Sequence, residues 1–266
     1  MRTVLISGAG IAGLSLAYWL TEYGFRPTVV ERSRSLRTGG HAIDIRGTAR
    51  EVVSRMGLMD AIRARHTGTH GIAILNEAGE PVARMGGDDF GDSGGIVAEI
   101  EILRGDLVQI LHDALPSGVE YIFGDTVTAL AEHDNGIDVT FGEAGTRTFD
   151  IVVGADGIRS GVRDLVFDAE IRDMGYYMSY FAAKMDYDFN GWELMYSVPQ
   201  RAVLIYPVGD SGEVRGRLRV RRPGGAGRPK RPESRAGQGV RRRRLGGPRP
   251  RRATAADRRP VLRPCR

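Results

Sequence analysis

The sequence predicts an α/β fold, and three observations carry that prediction. A short apolar strand, Thr3 to Ser7, runs into a glycine-spaced turn, a helical segment and a second apolar strand. Much later, Ile151 to Gly154 is a brief, wholly apolar run, the pattern of a strand buried on both faces of a parallel sheet. Around it, several runs alternate polar and apolar residues with a period of two, as antiparallel strands do.

The elements follow in order. Ile11 to Tyr23 reads as the first helix and stops at Gly24; Thr28 to Glu31 is the second strand. Ser33 to Gly40 is a polar connection, and Ala42 to Arg46 alternates as a short strand. Thr48 to Arg65 has helical periodicity, interrupted at Gly57. Gly71 to Leu75 and Pro81 to Met85 flank the turn-forming Asn76 to Glu80 and read as a hairpin. Asp88 to Gly95 reads as a flexible acidic loop, and Glu101 to Leu115 as an amphipathic helix whose start is near Arg104. Glu120 to Phe123, Val127 to His133, Asp138 to Phe141 and Arg147 to Phe149 read as a meander. Tyr176 to Lys184, Gly191 to Ser197 and Val203 to Val208 form the strands of a second, antiparallel sheet.

The most specific stretch is TVLISGAGIAGLSLAYWLTEYGFRPTVVER, Thr3 to Arg32. Gly8 permits a tight turn out of the first strand, Gly10 lets the backbone approach a pyrophosphate, and Gly13 lets the helix pack closely on the sheet. The helix then directs its N-terminal N–H groups and positive dipole end at the phosphates. Glu31 follows Gly13 by 18 residues, the spacing of the acid that holds a ribose in a Rossmann-like βαβ unit. A carboxylate there accepts hydrogen bonds from ribose hydroxyls and repels a 2′-phosphate. The tightly held nucleotide is therefore FAD or NAD, not NADP.

Composition divides the chain in two. Residues 1–213 hold 18 Lys and Arg against 31 Asp and Glu, whereas residues 214–266 hold 20 against 2, so the net charge of +5 conceals an acidic body and a basic tail. The tail has no aromatic residue and is mostly Arg, Gly, Pro and Ala, with Arg241 to Arg244 in a row. By composition it buries too little apolar area to offset its ordering entropy, and disorder is expected from residue 214 onward. It reads as a basic arm for nucleic acid or an acidic membrane, as a solvated linker, or, the favoured reading, as the product of a reading-frame error in a GC-rich gene. The single cysteine, Cys265, excludes an intramolecular disulfide framework. No long apolar run suggests a membrane span, and a cytoplasmic location is expected.

A second motif, VVGADGIRSGVR, spans residues 152–163. A buried strand ends at Gly154, and Asp156-Gly157 follows in a turn. That turn either offers backbone N–H groups near phosphates and an acid beside a ribose, or is a plain turn with a polar rim. In order and spacing, GAGIAG with VVER, GGHAIDIRGTAREVVSRMGL, ILRGDLVQIL and VVGADGIRSGVR resemble the FAD-dependent aromatic hydroxylases, single-component flavoprotein monooxygenases of the para-hydroxybenzoate hydroxylase fold. The resemblance covers about residues 1–213, and the tetracycline- and polyketide-modifying branch is the most similar.

That resemblance implies an FAD-binding domain over residues 1–174, with substrate-side strands inserted around 70–100, and an incomplete antiparallel substrate-binding sheet over 175–213. It implies that Gly8, Gly10, Gly13, Glu31 and Arg32 hold the ADP part of FAD, and that Asp44 and Arg46 lie near the flavin. It places Arg104 at the pyrophosphate-ribityl region, a helix-surface ion pair being the lesser alternative. Val127 would offer backbone contacts to the adenine. Asp156 and Gly157 belong to the motif shared by FAD and NAD(P)H, and Arg159 is a candidate for pyridine-nucleotide phosphates or a solvated arginine. The implied chemistry is the flavin's: NAD(P)H reduces it, oxygen adds at C4a, and the resulting hydroperoxide hydroxylates a small aromatic or polyketide substrate. No catalytic base and no metal ligand is assigned; His41, His66, His70, His112 and His133 are scattered.

The family's later Gly-Asp motif has no counterpart here, since Gly209-Asp210 comes early and leads into Ser-Gly-Glu. The expectation is a truncated or frame-shifted member. Its alternatives are an inactive nucleotide-binding fragment and a nucleic-acid-associated protein acting through its tail. A reductase or halogenase of the wider fold is a further possibility.

Overall fold

A computed structural model describes residues 1–86, 98, 100–209 and 212–221 of the chain. The acidic segment 88–95, read above as a loop, and the tail from residue 222 lie outside the described residues. In chain order the elements are β1 (Thr3–Ser7), α1 (Ile11–Glu22), β2 (Arg26–Glu31), β3 (Ala42–Asp44), α2 (Thr48–Arg55), α3 (Met59–Arg63), β4 (Gly71–Leu75) and β5 (Pro81–Gly86). Then follow β6 (Glu101–Leu103), α4 (Arg104–Asp113), β7 (Glu120–Phe123), β8 (Val127–His133), β9 (Gly136–Phe141), β10 (Thr146–Phe149), β11 (Ile151–Gly154) and α5 (Gly161–Val166). The last are β12 (Tyr176–Lys184), β13 (Trp192–Val198), β14 (Arg201–Pro207) and β15 (Glu213–Arg221).

A four-stranded parallel sheet, ordered β11-β1-β2-β7, positions everything else. Its central strands carry apolar residues toward both faces because both faces are covered. Along β1 the side chains alternate: Val4 and Ile6 enter the core shared with α1 and α4, while Leu5 enters the opposite core with Val139, Phe141 and Phe149. Val29 and Val30 of β2 divide the same way. The helical face is the larger core, filled by Leu14 and Ala17 of α1 and Leu107, Val108 and Leu111 of α4. The other face is covered by a three-stranded antiparallel sheet, β10-β9-β8. Gly57, at φ +71°, separates α2 from α3 where the helical pattern breaks.

Two sequence expectations need correction. Glu120 to Phe123 is not part of the meander; it pairs in parallel with β2, Thr28 to Glu31 facing Glu120 to Phe123. The helix starts at Arg104, near where it is expected, and the residues before it, Glu101 to Leu103, pair antiparallel with Asp44 to Ala42 as β6. The tail also does not lose structure at residue 214. Glu213 to Arg221 is the strand β15, hydrogen-bonded to β12 on one side and β14 on the other. The physical reason is periodicity: Val214, Gly216, Leu218 and Val220 alternate with Arg215, Arg217, Arg219 and Arg221. Total apolar content misses this, because a strand between two partners needs one apolar face and a complete set of backbone hydrogen bonds. Two of the arginines find local partners, Arg215 on Glu213 at 2.6 Å and Arg219 over the Tyr176 ring at 5.4 Å.

β15 belongs to a six-stranded sheet ordered β12-β15-β14-β13-β4-β5. It is mixed rather than purely antiparallel, since β13 and β4 run parallel, Trp192 to Tyr196 beside Gly71 to Leu75. The hairpin β4–β5 is thereby absorbed into this sheet. At its far end β12 is exposed along its whole length.

The β3–β6 ribbon meets this sheet at a buried acidic pair. Glu193 of β13 is only 2 % exposed, and Glu101 of β6 accepts hydrogen bonds at Oε2 from the Thr67 and Thr69 hydroxyls, at 2.8 and 3.0 Å. Burial raises the Glu101 carboxyl against those two donors, and burial together with the neighbouring Glu101 charge pushes Glu193 up to about 8. Glu193 thus stays protonated at neutral pH and donates to Glu101.

Two measurements test this architecture. Backbone amides of Glu213 to Arg221 are expected to exchange hydrogen as slowly as those of β14, whereas a composition-driven coil would exchange at free-chain rates. The acidic pair sets a pH window. Glu193 is raised from an ordinary 4.5 to about 8, so the folded chain holds a proton that the unfolded chain releases between those values. Its stabilisation is complete below about pH 4.5 and is lost as pH rises through about 8. Glu193→Gln is expected to remove this downward slope of thermal stability; identical slopes in the two proteins exclude the shared proton.

Candidate cofactor site

The parallel sheet changes direction of winding between β1 and its neighbours β2 and β11, and a cavity of about 280 Å³ opens at the C-terminal ends of these strands. Open α/β sheets place their ligands at such a switch point. Its walls include Gly8, Ala9 and Gly10 from the β1–α1 turn, Glu31 and Arg32 from the end of β2, Arg104 and Val108 from α4, Asp125 to Val127 from the β7–β8 connection, and Ala155 to Gly157 with Arg159 after β11.

The turn is shaped by exclusion. Gly8 has φ +112°, and a Cβ there would lie 2.6 Å from the Ala155 carbonyl oxygen. A Cβ on Gly13 would collide with the Gly8 carbonyl, so α1 leaves the sheet with no side chain between its first turn and the loop. Gly10 caps α1 with no side-chain hydrogen bond, and the first turn of α1 carries no acid. These N–H groups and the helix dipole are left directed at the cavity, an arrangement suited to a phosphate.

Glu31 is the acid of the site. Its Oε2 accepts the Ala9 N–H at 3.0 Å and its Oε1 the Ser33 N–H at 2.9 Å. Burial raises its pKa, but these amides, with Arg37 nearby, outweigh burial and hold the carboxyl below its ordinary value. The group is ionised at neutral pH, pre-shaped by the loop, and each oxygen keeps a lone pair for a hydroxyl. Arg104 is set by β3–β6: its N–H donates to the His41 carbonyl at 3.0 Å, and its guanidinium Nη2 lies 3.5 Å from where a Cβ of Gly10 would be. The cation therefore spans the glycine turn. Arg32, Arg37 and Arg159 also line the cavity, so its guanidinium groups favour an anionic ligand.

Asp156 has two readings in the sequence, an acid beside a ribose or ordered water and a plain turn with a polar rim. It lines the cavity, but its Oδ1 accepts the Ser160 hydroxyl at 2.5 Å and its Oδ2 the Gly161 and Val162 N–H groups at 2.7 and 3.2 Å. Ser160 in turn accepts the Arg163 N–H at 2.9 Å. The pair thus caps α5 and fixes the loop carrying Gly157, at φ +80°, and Arg159.

Gly8, Gly10, Glu31, Arg32, Arg104, Val127, Asp156, Gly157 and Arg159 share this one cavity, while Gly13 lies directly behind its turn. Asp44 and Arg46 do not line it; they pair with each other at 2.8 Å at and just after the end of β3. Nearby, the Ala42 N–H donates to the Tyr206 hydroxyl at 2.8 Å, and that hydroxyl lies 3.0 Å from His41 Nδ1. Burial, with Arg215 and Arg217 beside it, lowers the pKa of His41 and keeps the ring neutral. Leu36, Arg37, Val108, Asp125 and Thr126 also line the cavity and were not assigned from the sequence. Only Asp125, an acid followed by Thr between two strand patterns, carried a local signal. Among the described residues, no three His, Cys, Asp or Glu side chains group as a metal site, and no helix is long and apolar enough to cross a membrane.

Known proteins resemble this chain in sequence and in fold. The FAD binding domain family matches residues 1–243. An uncharacterised protein of Mycobacterium tuberculosis strain H37Rv is 36% identical over 223 residues, covering 82% of this chain and 59% of that protein. A flavin-dependent monooxygenase from an unknown prokaryotic organism is 35% identical over 215 residues, covering 79% of this chain and 54% of that protein. Among solved structures, the tetracycline destructase Tet(51) superposes with a TM-score of 0.71 at 31% identity, covering 85% of this chain and 58% of that one. The FAD complex of CtdE shares the fold, with a TM-score of 0.70 at 18% identity, covering 85% of this chain and 58% of that one. The chain therefore spans little more than half the length of these relatives. Since the family match runs from the glycine turn through the six-stranded sheet, this chain belongs to the FAD binding domain family.

Proposed function

We propose that the chain serves as the cofactor-holding part of an FAD-dependent, NAD(P)H-using monooxygenase that hydroxylates a small aromatic or polyketide substrate. The observation that carries this reading is the cavity at the end of β1, where a glycine turn, an ionised Glu31 and the Arg104 guanidinium meet. Those residues fit FAD. The turn and the N-terminus of α1 take the pyrophosphate, Glu31 takes the adenosine ribose, and Arg104 neutralises phosphate charge from the opposite wall. Arg159 and Gly157, held by the Asp156 cap, offer a cationic rim for the pyridine-nucleotide phosphates.

When bound, the flavin supplies the redox chemistry, carrying electrons from NAD(P)H to oxygen and passing one oxygen atom to the substrate. The protein's part is to orient and to exclude water. The Asp44–Arg46 pair and the neutral His41, leaning on Tyr206, face the six-stranded sheet and present polar groups on the side away from the phosphates. The tetracycline destructase Tet(51), at 31% identity, is the ground for placing polyketides in the substrate class beside simple phenols.

The visible spectrum of the purified chain, titrated with FAD, tests the reading directly. Flavin absorption that co-purifies or is restored by FAD, with NADH or NADPH oxidation stimulated by a phenol or a tetracyclic polyketide, supports it. Flavin binding without stimulated oxidation reduces the chain to a nucleotide-binding unit, and a preparation that FAD cannot colour removes the cofactor assignment. Glu31→Ala is expected to weaken FAD binding by about 1–3 kcal/mol, the scale of a lost charged hydrogen bond, as read by flavin fluorescence quenching. Glu31→Gln, which keeps an acceptor for the Ala9 N–H, is expected to lose less. Unchanged affinity in both variants removes Glu31 from the site.

A further inference from the structure

Asp125 is almost completely buried, at 4 % exposure, in the connection between β7 and β8. Its carboxylate collects backbone N–H groups from two separate segments. Oδ1 accepts from Thr126 at 2.7 Å, Gly142 at 2.8 Å and Glu143 at 3.1 Å, while Oδ2 accepts from Glu143 at 3.2 Å and Ala144 at 2.8 Å. The Gly142 N–H also donates to the Thr126 carbonyl at 3.0 Å. A Cβ on Gly142 would lie 2.9 Å from Oδ1, so the turn sits as close to the acid as a backbone can. On the other side, the Gly124 and Asp125 N–H groups donate to the Glu31 carbonyl at 2.8 and 3.3 Å.

Asp125, Thr126 and Val127 all line the cofactor cavity. A dinucleotide laid along it has its phosphates at the glycine turn and its ribose at Glu31. The base then falls on the next segment bonded to Glu31, which is Asp125 to Val127. With amides on both oxygens, the carboxylate has no strong acceptor position left for a ligand. It can act only by fixing the wall that the base meets.

We propose that Asp125 is a positioning residue for the adenine of FAD, locking the Gly142–Ala144 turn and the Thr126–Val127 segment into one rigid wall joined to Glu31. The proposal rests on the reading that this cavity holds FAD. Burial raises the Asp125 pKa, but the surrounding amides prevail and hold it below the ordinary carboxylate value, so the anion persists at working pH.

The test compares FAD, ADP and FMN binding to the parent chain, Asp125→Asn and Gly142→Ala. Asparagine keeps the shape but turns an NH₂ toward amide donors; the added methyl of Gly142→Ala crowds the same oxygen more mildly. Asp125→Asn is expected to weaken FAD and ADP about tenfold, the scale of lost hydrogen bonds to a charged group, and to leave FMN unchanged because FMN lacks the adenosine. Gly142→Ala is expected to shift FAD and ADP in the same direction by less, and it carries the test if Asp125→Asn fails to fold. Parent-like FAD affinity in the variants, or equal losses of FAD and FMN, overturns the positioning role while leaving the FAD reading intact. A parent chain that binds none of the three ligands overturns both.

Discussion

The end of β2 is the point on which the rest of the molecule depends. Through its side chain Glu31 holds the Ala9 and Ser33 amides, and through its carbonyl it holds those of Gly124 and Asp125. One residue thereby joins the glycine turn, the outgoing connection and the cavity wall at Asp125. Each bond by itself contributes only about 1 kcal/mol. Their convergence matters because they tie the turn after β1 and the β7–β8 connection, about 115 residues apart in the chain, to one residue at the end of β2. A ribose hydroxyl arriving at Glu31 meets a carboxylate already aimed, so little ordering entropy is lost on binding.

The charges around the cavity are arranged asymmetrically. Its acids are committed: Glu31 and Asp125 to backbone amides, Asp156 to the cap of α5. Its guanidinium groups are presented to the cavity, Arg104 across the glycine turn. The acids therefore build the walls, with Glu31 also keeping lone pairs toward the cavity, and the guanidinium groups line the same space. At the opposite boundary the balance is reversed. There Glu101 and Glu193 share a proton beneath the β3–β6 ribbon, and the neutral His41 rests near Arg215 and Arg217. The fold thus keeps an anion-seeking cavity apart from a region whose ionisation depends on burial.

What could be read from sequence follows from how local the physics is. Gly8, Gly10 and Gly13 were legible because the constraint is within one turn, and Glu31 because the βαβ unit sets its distance. Asp125 was not, because the amides that define it, Gly142 to Ala144, lie 17 to 19 residues further on, in a turn between two other strands. The helix starting at Arg104 was legible from its amphipathic pattern, but the strand before it was not, since only pairing with Ala42 to Asp44 makes Glu101 to Leu103 a strand. Asp156 was recognised as part of a motif, yet its cap on α5 depends on rotamers that no spacing reveals. The arginine-rich start of the tail was misjudged for the opposite reason. Its content was averaged where its alternation carried the information, and β12 and β14 supply the hydrogen bonds that composition cannot count.

The placing of β4 bears on how the chain can fold as it is made. Ile72 pairs with Glu193 and Leu75 with Tyr196, partners synthesised more than a hundred residues later. The hairpin β4–β5 thus forms early but has no neighbour on its β13 side until that strand arrives, and β12 gains its own partner only with β15. Loop closure over such separations is slow relative to local pairing. The parallel sheet waits as well: β1, α1 and β2 are contiguous, but β7 joins across 92 residues, Thr28 to Glu120, and β11 across 147, Val4 to Ile151. In order of synthesis the parallel sheet has all its strands by Gly154, whereas the six-stranded sheet is complete only with β15, so its strand edges stay uncovered longest.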